Sequence, residues 1–319
     1  MVSNKTPVLS ATSPDMPVSI SSKIKVGIVS LTFFYVPLWA ARDKGFFAAE
    51  GLEVELPMLG NASQVEPLTS GAMNVVMGTC EAVLQNAASG GPLRVVAGNN
   101  GKLSHSLIVN PRFTRIEDMK GATFGILNMT EGSFFQLKEM LSKHGLHYPH
   151  DYKVKETGGV PPRHKALLEG SIDGGLQSIP WNYVAEDAGF RSLGEINNYV
   201  PEWQFVSVNV DNDWARANRG LLVRFLRALS RATDWVYANR AGAVAIAERE
   251  LPTRRDYAER AWDYYTGTNA LTRDMSVNRK GLEKVVATQK QAGLLPQNAP
   301  DDAGAYVVDE YLREARAGA

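Results

Sequence analysis

The sequence predicts an α/β protein built as two lobes with a cleft between them, carrying a helical C-terminal region on the first lobe. Three observations predict it. Short β-rich runs alternate with helical segments over about residues 23–104, and the alternation begins again over about 110–204. A further apolar strand, Phe205-Val206-Ser207-Val208-Asn209, follows the second unit, and beyond it the chain reads almost wholly as amphipathic helix. Strands that alternate with helices call for parallel sheets with right-handed crossovers.

The elements follow in order. The run Lys23-Ile24-Lys25-Val26-Gly27-Ile28-Val29-Ser30 reads as the first strand. A helix is expected from about Pro37 to Glu50, with proline tolerated in its first turn and Gly51 after its end. Leu52-Glu53-Val54-Glu55-Leu56 alternates as a strand does. Helix Ala62 to Ser70, strand Asn74 to Met77, helix Glu81 to Ala88 and strand Leu93 to Ala97 complete the first unit. In the second, strand Ser106 to Val109 leads to a helical turn near Ile116 to Met119. Three strand–helix pairs follow: Thr123 to Leu127 with Ser133 to His144, Lys153 to Glu156 with Pro162 to Glu169, and Gly174 to Ser178 with Trp181 to Ala188. The C-terminal helices are expected at Gly220 to Ala238, Ala241 to Glu250, Arg254 to Tyr265, Arg279 to Ala292 and Asp302 to Ala315. The first of these carries Leu222, Phe225, Leu226, Leu229 and Val236 on one stripe, which must dock somewhere, and the first lobe is the economical place. The expected organisation is a disordered tail over 1–22, lobe I over 23–107 plus 206–319, and lobe II over 108–205. The two crossings between lobes fall near 105–109 and 205–209.

Composition narrows the function. The 319 residues carry 34 Lys plus Arg and 34 Asp plus Glu, a formal net charge of zero. No basic surplus argues for nucleic acid, and no polybasic run argues for a membrane surface. No apolar stretch approaches the roughly 20 residues of a transmembrane helix. Residues 1–22 are rich in Ser, Thr and Pro and lack the basic start and apolar block of a secretory signal. Cys80 is the lone cysteine, which excludes an intramolecular disulfide and a cysteine-based zinc site. His144, His147 and His150 lie three apart, but Gly145 and Pro149 break any helix there, so a surface loop is expected rather than a metal site. No P-loop, His-Glu-x-x-His or Gly-x-Ser-x-Gly elbow is found, so no nucleotide, metal or other cofactor is implied.

Four stretches then carry a resemblance. Lys44-Gly45-Phe46-Phe47-Ala48-Ala49-Glu50-Gly51-Leu52-Glu53-Val54 resembles the "GFF..EGL.VE" motif of the NMT1/THI5-like (SsuA-like, nitrate/sulfonate/taurine-type) substrate-binding proteins of ABC transporters. Leu68-Thr69-Ser70-Gly71-Ala72-Met73-Asn74 is similar to that family's step into its third strand, with Asn74 where Asp is usual. Gly90-Gly91-Pro92-Leu93-Arg94-Val95-Val96-Ala97 and Ile116-Glu117-Asp118-Met119-Lys120-Gly121 agree in order and spacing. The resemblance spans about 23–315. It implies a type II periplasmic-binding-protein fold that captures a small molecule by hinge closure, an ABC permease as partner, a monomer and a periplasmic location, with the cytoplasm as the alternative because residues 1–22 do not read as an export signal. It does not fix the ligand, because one fold carries many functions.

In such a fold ligands bind beyond the carboxyl ends of the strands. The first such loop offers Thr32, Phe33, Phe34 and Tyr35; three aromatics in a row cannot all face one core, so at least one is expected to reach the cleft. The second offers Asn61 and Ser63, as backbone anion binders or as plain helix caps. The third offers Thr79 and Glu81; Glu81 either favours the helix dipole or receives an amine or amidine. His105 lies at the first crossing. Asn128, Thr130, Glu131 and Ser133 form the opposing jaw, Gly159 permits close backbone approach, and Trp181 is either an aromatic face or a plug between sheet and helix. Glu81, Glu131 and Glu156 outnumber Lys102 and Arg163 among these loops, and no convergent arginine is evident. The expected ligand is therefore planar and neutral or weakly basic, such as a pyrimidine-type thiamine precursor, rather than a sulfonate. Two alternatives stand beside a binder. One is an enzyme on the same fold, desulfinase-like or pyrimidine-synthase-like, using Cys80 with His105 or Arg94 as helpers. The other is a ligand sensor.

Overall fold

The computed structural model describes residues 22–59, 63–251 and 253–318. The expected tail therefore lies outside the described residues except for Ser22, which opens the first strand. Among the described residues ten strands form two five-stranded sheets. In chain order they are β1 (Ser22–Ile28), β2 (Leu52–Glu55), β3 (Val75–Gly78), β4 (Leu93–Asn100), β5 (His105–Val109), β6 (Thr123–Ile126), β7 (Lys153–Glu156), β8 (Gly174–Ser178), β9 (Arg191–Glu195) and β10 (Val206–Asp211). The first sheet has the order β2-β1-β3-β10-β4 and the second β7-β6-β8-β5-β9.

Neither sheet is all parallel, contrary to the expectation from strand–helix alternation. β10 lies antiparallel between β3 and β4, and β5 lies antiparallel between β8 and β9. The reason is geometric. β1, β3, β6 and β8 run toward the gap between the sheets, and their tips open onto it. The two strands that begin at the gap, after each crossing, must run away from it. β9, which sequence reading passed over, is a half-exposed edge strand bent at Gly194, whose φ is 130°.

The helices are α1 (Val36–Asp43), α2 (Phe46–Ala49), α3 (Val65–Thr69), α4 (Glu81–Ala88), α5 (Gly132–Ser142), α6 (Val160–Leu168), α7 (Trp181–Asp187), α8 (Asn212–Ala217), α9 (Arg219–Ala238), α10 (Arg240–Glu250), α11 (Arg255–Gly267), α12 (Arg279–Gln291) and α13 (Glu310–Ala317). The single helix expected over 37–50 is two, because Gly45 takes a left-handed φ of 75° between them. The last expected helix likewise divides into a 3-10 turn at Ala303–Ala305 and α13.

α9 is the spine of the first lobe. Its Leu222, Phe225, Leu226, Leu229 and Val236 are buried against α1, α2 and α13, with Phe225 stacked on Phe47 at 5.6 Å. Burial of each such side chain contributes about 1.5–3 kcal/mol. The tail helices also reach the second lobe. α12 extends Lys284 to Glu139 at 2.9 Å and Gln289 Nε2 to the Thr130 carbonyl at 3.1 Å. Arg254, just before α11, pairs with Asp187 at 3.0 Å, and Tyr257 donates to the same carboxylate.

The crossings run side by side. Phe205 N–H donates to the Asn100 carbonyl at 3.1 Å, and Gln204 Nε2 donates to the Val206 carbonyl at 2.8 Å. Asn278, at the start of α12, fastens both crossings. Its N–H donates to Gln204 Oε1 at 2.8 Å and its Nδ2 donates to the Gly101 carbonyl at 2.9 Å. Gly281 lies against this backbone so closely that a Cβ there would sit 2.5 Å from Gln204 N.

Candidate ligand site

The strand tips converge on one cavity between the lobes. The first lobe supplies Val29 and Ser30 after β1, Phe34 of the 3-10 turn Phe33–Tyr35, and Thr79 after β3. The second supplies Leu127 and Ser133 after β6, Gly159 and Val160 after β7, and Ser178 at the end of β8. His105, Phe205 and Val206 close the side where the crossings pass. The lobes are shut over this space: about 60 Å³ is open to the centres of water molecules, which is room for a cluster of a few waters or a small solute. A roomier groove of about 370 Å³ runs outside, along Phe135, Lys138 and Lys284, but no strand tip opens into it. The interlobe cavity is the candidate because buried polar atoms meet there.

Chief among these is Arg163 of α6. It is 2% exposed, and its Nε and Nη1 have no hydrogen-bond partner among the described residues. The sheet beneath is carved to admit it. Gly125 of β6 and Gly175 of β8 are register partners, and a Cβ on either would come within 3.0 Å of the Arg163 stem. Burial pulls its pKa down to about 10, so it remains a cation at neutral pH. His105, 4% exposed, is pushed down to about 3 by burial first and by the Arg163 charge second. It is therefore a neutral imidazole whose Nδ1 lacks a partner, as do Ser30 Oγ and Ser178 Oγ. One cation and several uncommitted neutral groups thus face the cavity, lined otherwise by Val29, Phe34, Leu127, Val160 and Phe205.

A second polar cluster joins the jaws beside the cavity. Thr79 Oγ1 of the first lobe donates to Glu131 Oε2 of the second at 2.6 Å. Glu81 is fully buried, neither of its carboxyl oxygens has a hydrogen-bond partner among the described residues, and its Oε1 lies against the backbone of Gly132, next to Glu131. Burial first, and the neighbouring Glu131 second, raise the Glu81 pKa well above the carboxylate range; burial also raises Glu131. Across the gap, Trp181 Nε1 donates to the Leu31 carbonyl at 3.0 Å.

Sequence-predicted residues divide between these places. Phe34, Thr79, His105, Ser133 and Gly159 line the cavity, while Glu81, Glu131 and Trp181 bridge the lobes beside it. Phe33 and Tyr35 turn into the core: Phe33 stacks on Tyr265 at 5.3 Å, and the Tyr35 hydroxyl donates to the Met77 carbonyl at 2.6 Å. Thr32 is buried in the turn. Ser63 is exposed and its Oγ accepts the Val65 N–H at 3.3 Å, a local cap. Asn61 lies outside the described residues. Asn128 and Thr130 tie their own loop, Asn128 Oδ1 accepting from Thr130 N and Oγ1 at 2.9 Å each. Glu156 and Lys102 are exposed and bonded elsewhere. The view that no arginine converges is overturned by Arg163, whose stem reaches inward across two glycines. The signal was in the chain: glycines on neighbouring strands mark a close approach. Ser30, Ser178 and Phe205 were also passed over.

Cys80 does not face the cavity. It is fully buried, its Sγ lies 3.5 Å from the Gln204 carbonyl, and burial, then Glu81 and Glu131, push the thiol well up. The supposed helper Arg94 bonds the Gly91 and Leu93 carbonyls instead. Reactive cysteines need a stabilised thiolate, and this site opposes one. Among the described residues no grouping of His, Cys, Asp and Glu suits a metal, and no helix is long and apolar enough to cross a membrane.

Comparison with known proteins adds kinship. The family model described as NMT1/THI5 like matches residues 33–243. The chain is 24% identical over 294 residues to the putative binding protein YtlA of Bacillus subtilis (strain 168), across 88% of this chain and 86% of YtlA. It is 28% identical over 307 residues to a 4-amino-5-hydroxymethyl-2-methylpyrimidine phosphate synthase of Schizosaccharomyces pombe, across 84% of this chain and 80% of the synthase. Its fold is similar to that of the alkanesulfonate-binding protein SsuA of Xanthomonas axonopodis pv. citri, solved bound to MOPS. The TM-score is 0.72 at 16% identity, covering 90% of this chain and 98% of that one.

Proposed function

The chain belongs to the NMT1/THI5-like family, and from that premise we propose that it is a solute-binding protein that closes its two lobes on a small organic molecule and delivers it to an ABC importer. The observation that carries this reading is the interlobe cavity with the buried, uncommitted guanidinium of Arg163 in its wall. A buried cation without a counter-charge is costly, and a ligand anion offsets that cost. The ligand we propose is a small molecule with a compact anionic head for Arg163, Ser30 and Ser178, and an apolar, planar body for Phe34, Phe205 and Val160. The lobes taken as moving bodies are 23–107 plus 206–319, and 108–205. The protein works as a monomer in the periplasm, with a permease as its partner.

Kinship with pyrimidine phosphate synthases favours a second ligand reading, an aminopyrimidine. An enzyme using Cys80 is disfavoured by the burial and raised pKa of that thiol. Thermal-shift measurements with short alkane and arene sulfonates and carboxylates, set against aminopyrimidines, test the choice. Stabilisation by the anions is expected. Stabilisation by aminopyrimidines alone would restore the weakly basic ligand. No response to either, together with no small molecule retained in native mass spectrometry, would overturn solute capture.

A further inference from the structure

Glu81 and Glu131 come from opposite jaws. Glu81 opens α4 in the first lobe and Glu131 precedes α5 in the second. They meet only because the lobes are shut, and there Glu81 is 0% and Glu131 9% exposed. Resting on the capture reading above, we propose that closure takes up one proton, held between these two carboxyl groups, so that solute capture is proton-linked.

The surroundings leave no other way to neutralise the pair. Among the described residues no salt bridge reaches either carboxyl. Thr79 donates its hydroxyl to Glu131 and the Glu81 backbone N–H lies at the other carboxyl, and both are neutral donors. The backbone of Gly132 lies against Glu81: a Cβ there would fall 2.6 Å from Glu81 Oε1, 2.7 Å from Gln136 Nε2 and 3.4 Å from Trp203. From the first lobe, Cys80 is the neighbouring titratable group, and its thiol stays protonated. Arg163 and the neutral His105 are the ionisable groups across the cavity; a solute anion on Arg163 would spend that charge. Two carboxylates buried together with no cation cannot both ionise, so one holds a proton and donates it to the other.

The sign follows from linkage. When the jaws part, both groups meet water and return to the ordinary carboxyl range near about 4.3, losing the proton at neutral pH. The closed state binds the proton more tightly, so closure is favoured by acid and weakens as pH rises through the closed-state value. Between the two values the closed-to-open ratio changes by about tenfold per pH unit.

Small-angle scattering of the full chain without added solute, from about pH 8 to pH 5, reads this directly, with circular dichroism to check that the fold persists. The native protein is expected to become more compact as pH falls. Glu131→Gln removes the neighbouring negative charge and supplies an amide donor that needs no proton, leaving burial alone to raise Glu81, so the compactness of this variant is expected to change less with pH than that of the native protein; Glu81→Gln is the second variant should the first fold poorly. A native protein whose compactness ignores pH, or a Glu131→Gln protein that titrates like the native one, overturns the proposal. Failure of the capture reading has its own mark: the pH response persists, yet neither propanesulfonate nor benzoate nor an aminopyrimidine shifts it.

Discussion

Replacing Arg163 by methionine should make the protein without solute more stable and, at the same time, unable to hold an anion. The side chain is buried, and burial lowers its pKa from the usual arginine value to about 10. At 1.36 kcal/mol per pKa unit this is a penalty of about 3 kcal/mol on the closed, folded state. The penalty is fully present below about 10, where the group is charged, and fades only as the pH rises above it. Methionine keeps the apolar stem over Gly125 and Gly175 and removes the charge, so the gain should approach that penalty. For a chain of this size that is a rise in Tm of roughly 4–5 °C. Calorimetry without solute at about pH 5, where closure is favoured and Arg163 is still charged, measures it. With an arene or alkane anion added, the native protein should gain further stability and R163M should not. Losing one partner of a desolvated ion pair costs about 2–5 kcal/mol of affinity, or roughly thirtyfold to several thousandfold in Kd. An R163M protein less stable than the native one, or one that binds the anion unchanged, would refute the reasoning.

Other outcomes follow from the same geometry. Gly175→Ala places a Cβ 2.9 Å from Arg163 Cδ and 3.1 Å from the Gly125 carbonyl; it should cost about 1–3 kcal/mol by overpacking and weaken anion binding, as read by denaturant melts and calorimetric titration. Thr79→Val removes the hydroxyl that donates to Glu131 across the jaws. A bond to a charged acceptor contributes about 1.5–3 kcal/mol, so affinity should fall by roughly tenfold to a hundredfold in calorimetric titration. Cys80, fully buried with a raised pKa, should resist thiol reagents at neutral pH in the folded protein and react on unfolding. Rapid labelling of the native chain would revive the thiol-enzyme reading.

Much of the architecture was legible in the chain because local patterns set it. Helix Glu81–Ala88 and strands Lys153–Glu156 and Gly174–Ser178 lie where periodicity and punctuation put them. Strand direction was not legible, since an apolar run reads alike either way; only the position of β5 and β10 just past the crossings orients them. The site was partly legible for a related reason. Loops at strand tips can be found from the alternation, which led to Phe34, Thr79, His105 and Ser133. Which of Phe33, Phe34 and Tyr35 faces the cavity depends on the pitch of a 3-10 turn and on Tyr265, distant in sequence. Arg163 was read as one more loop charge because its role is set by length: it begins on α6 and extends across glycines on two other elements.

The fastening of both crossings to Asn278 has a mechanical consequence. α12 is pinned at its N-cap, Asn278, to the hinge, while Lys284 and Gln289 farther along grip the opposite jaw. A rod held at the pivot and attached to the moving arm behaves as a stay. Parting the jaws breaks the Lys284 and Gln289 contacts while Asn278 keeps its hold on the crossings, so the far half of this helix has different surroundings in the shut and the open clamp.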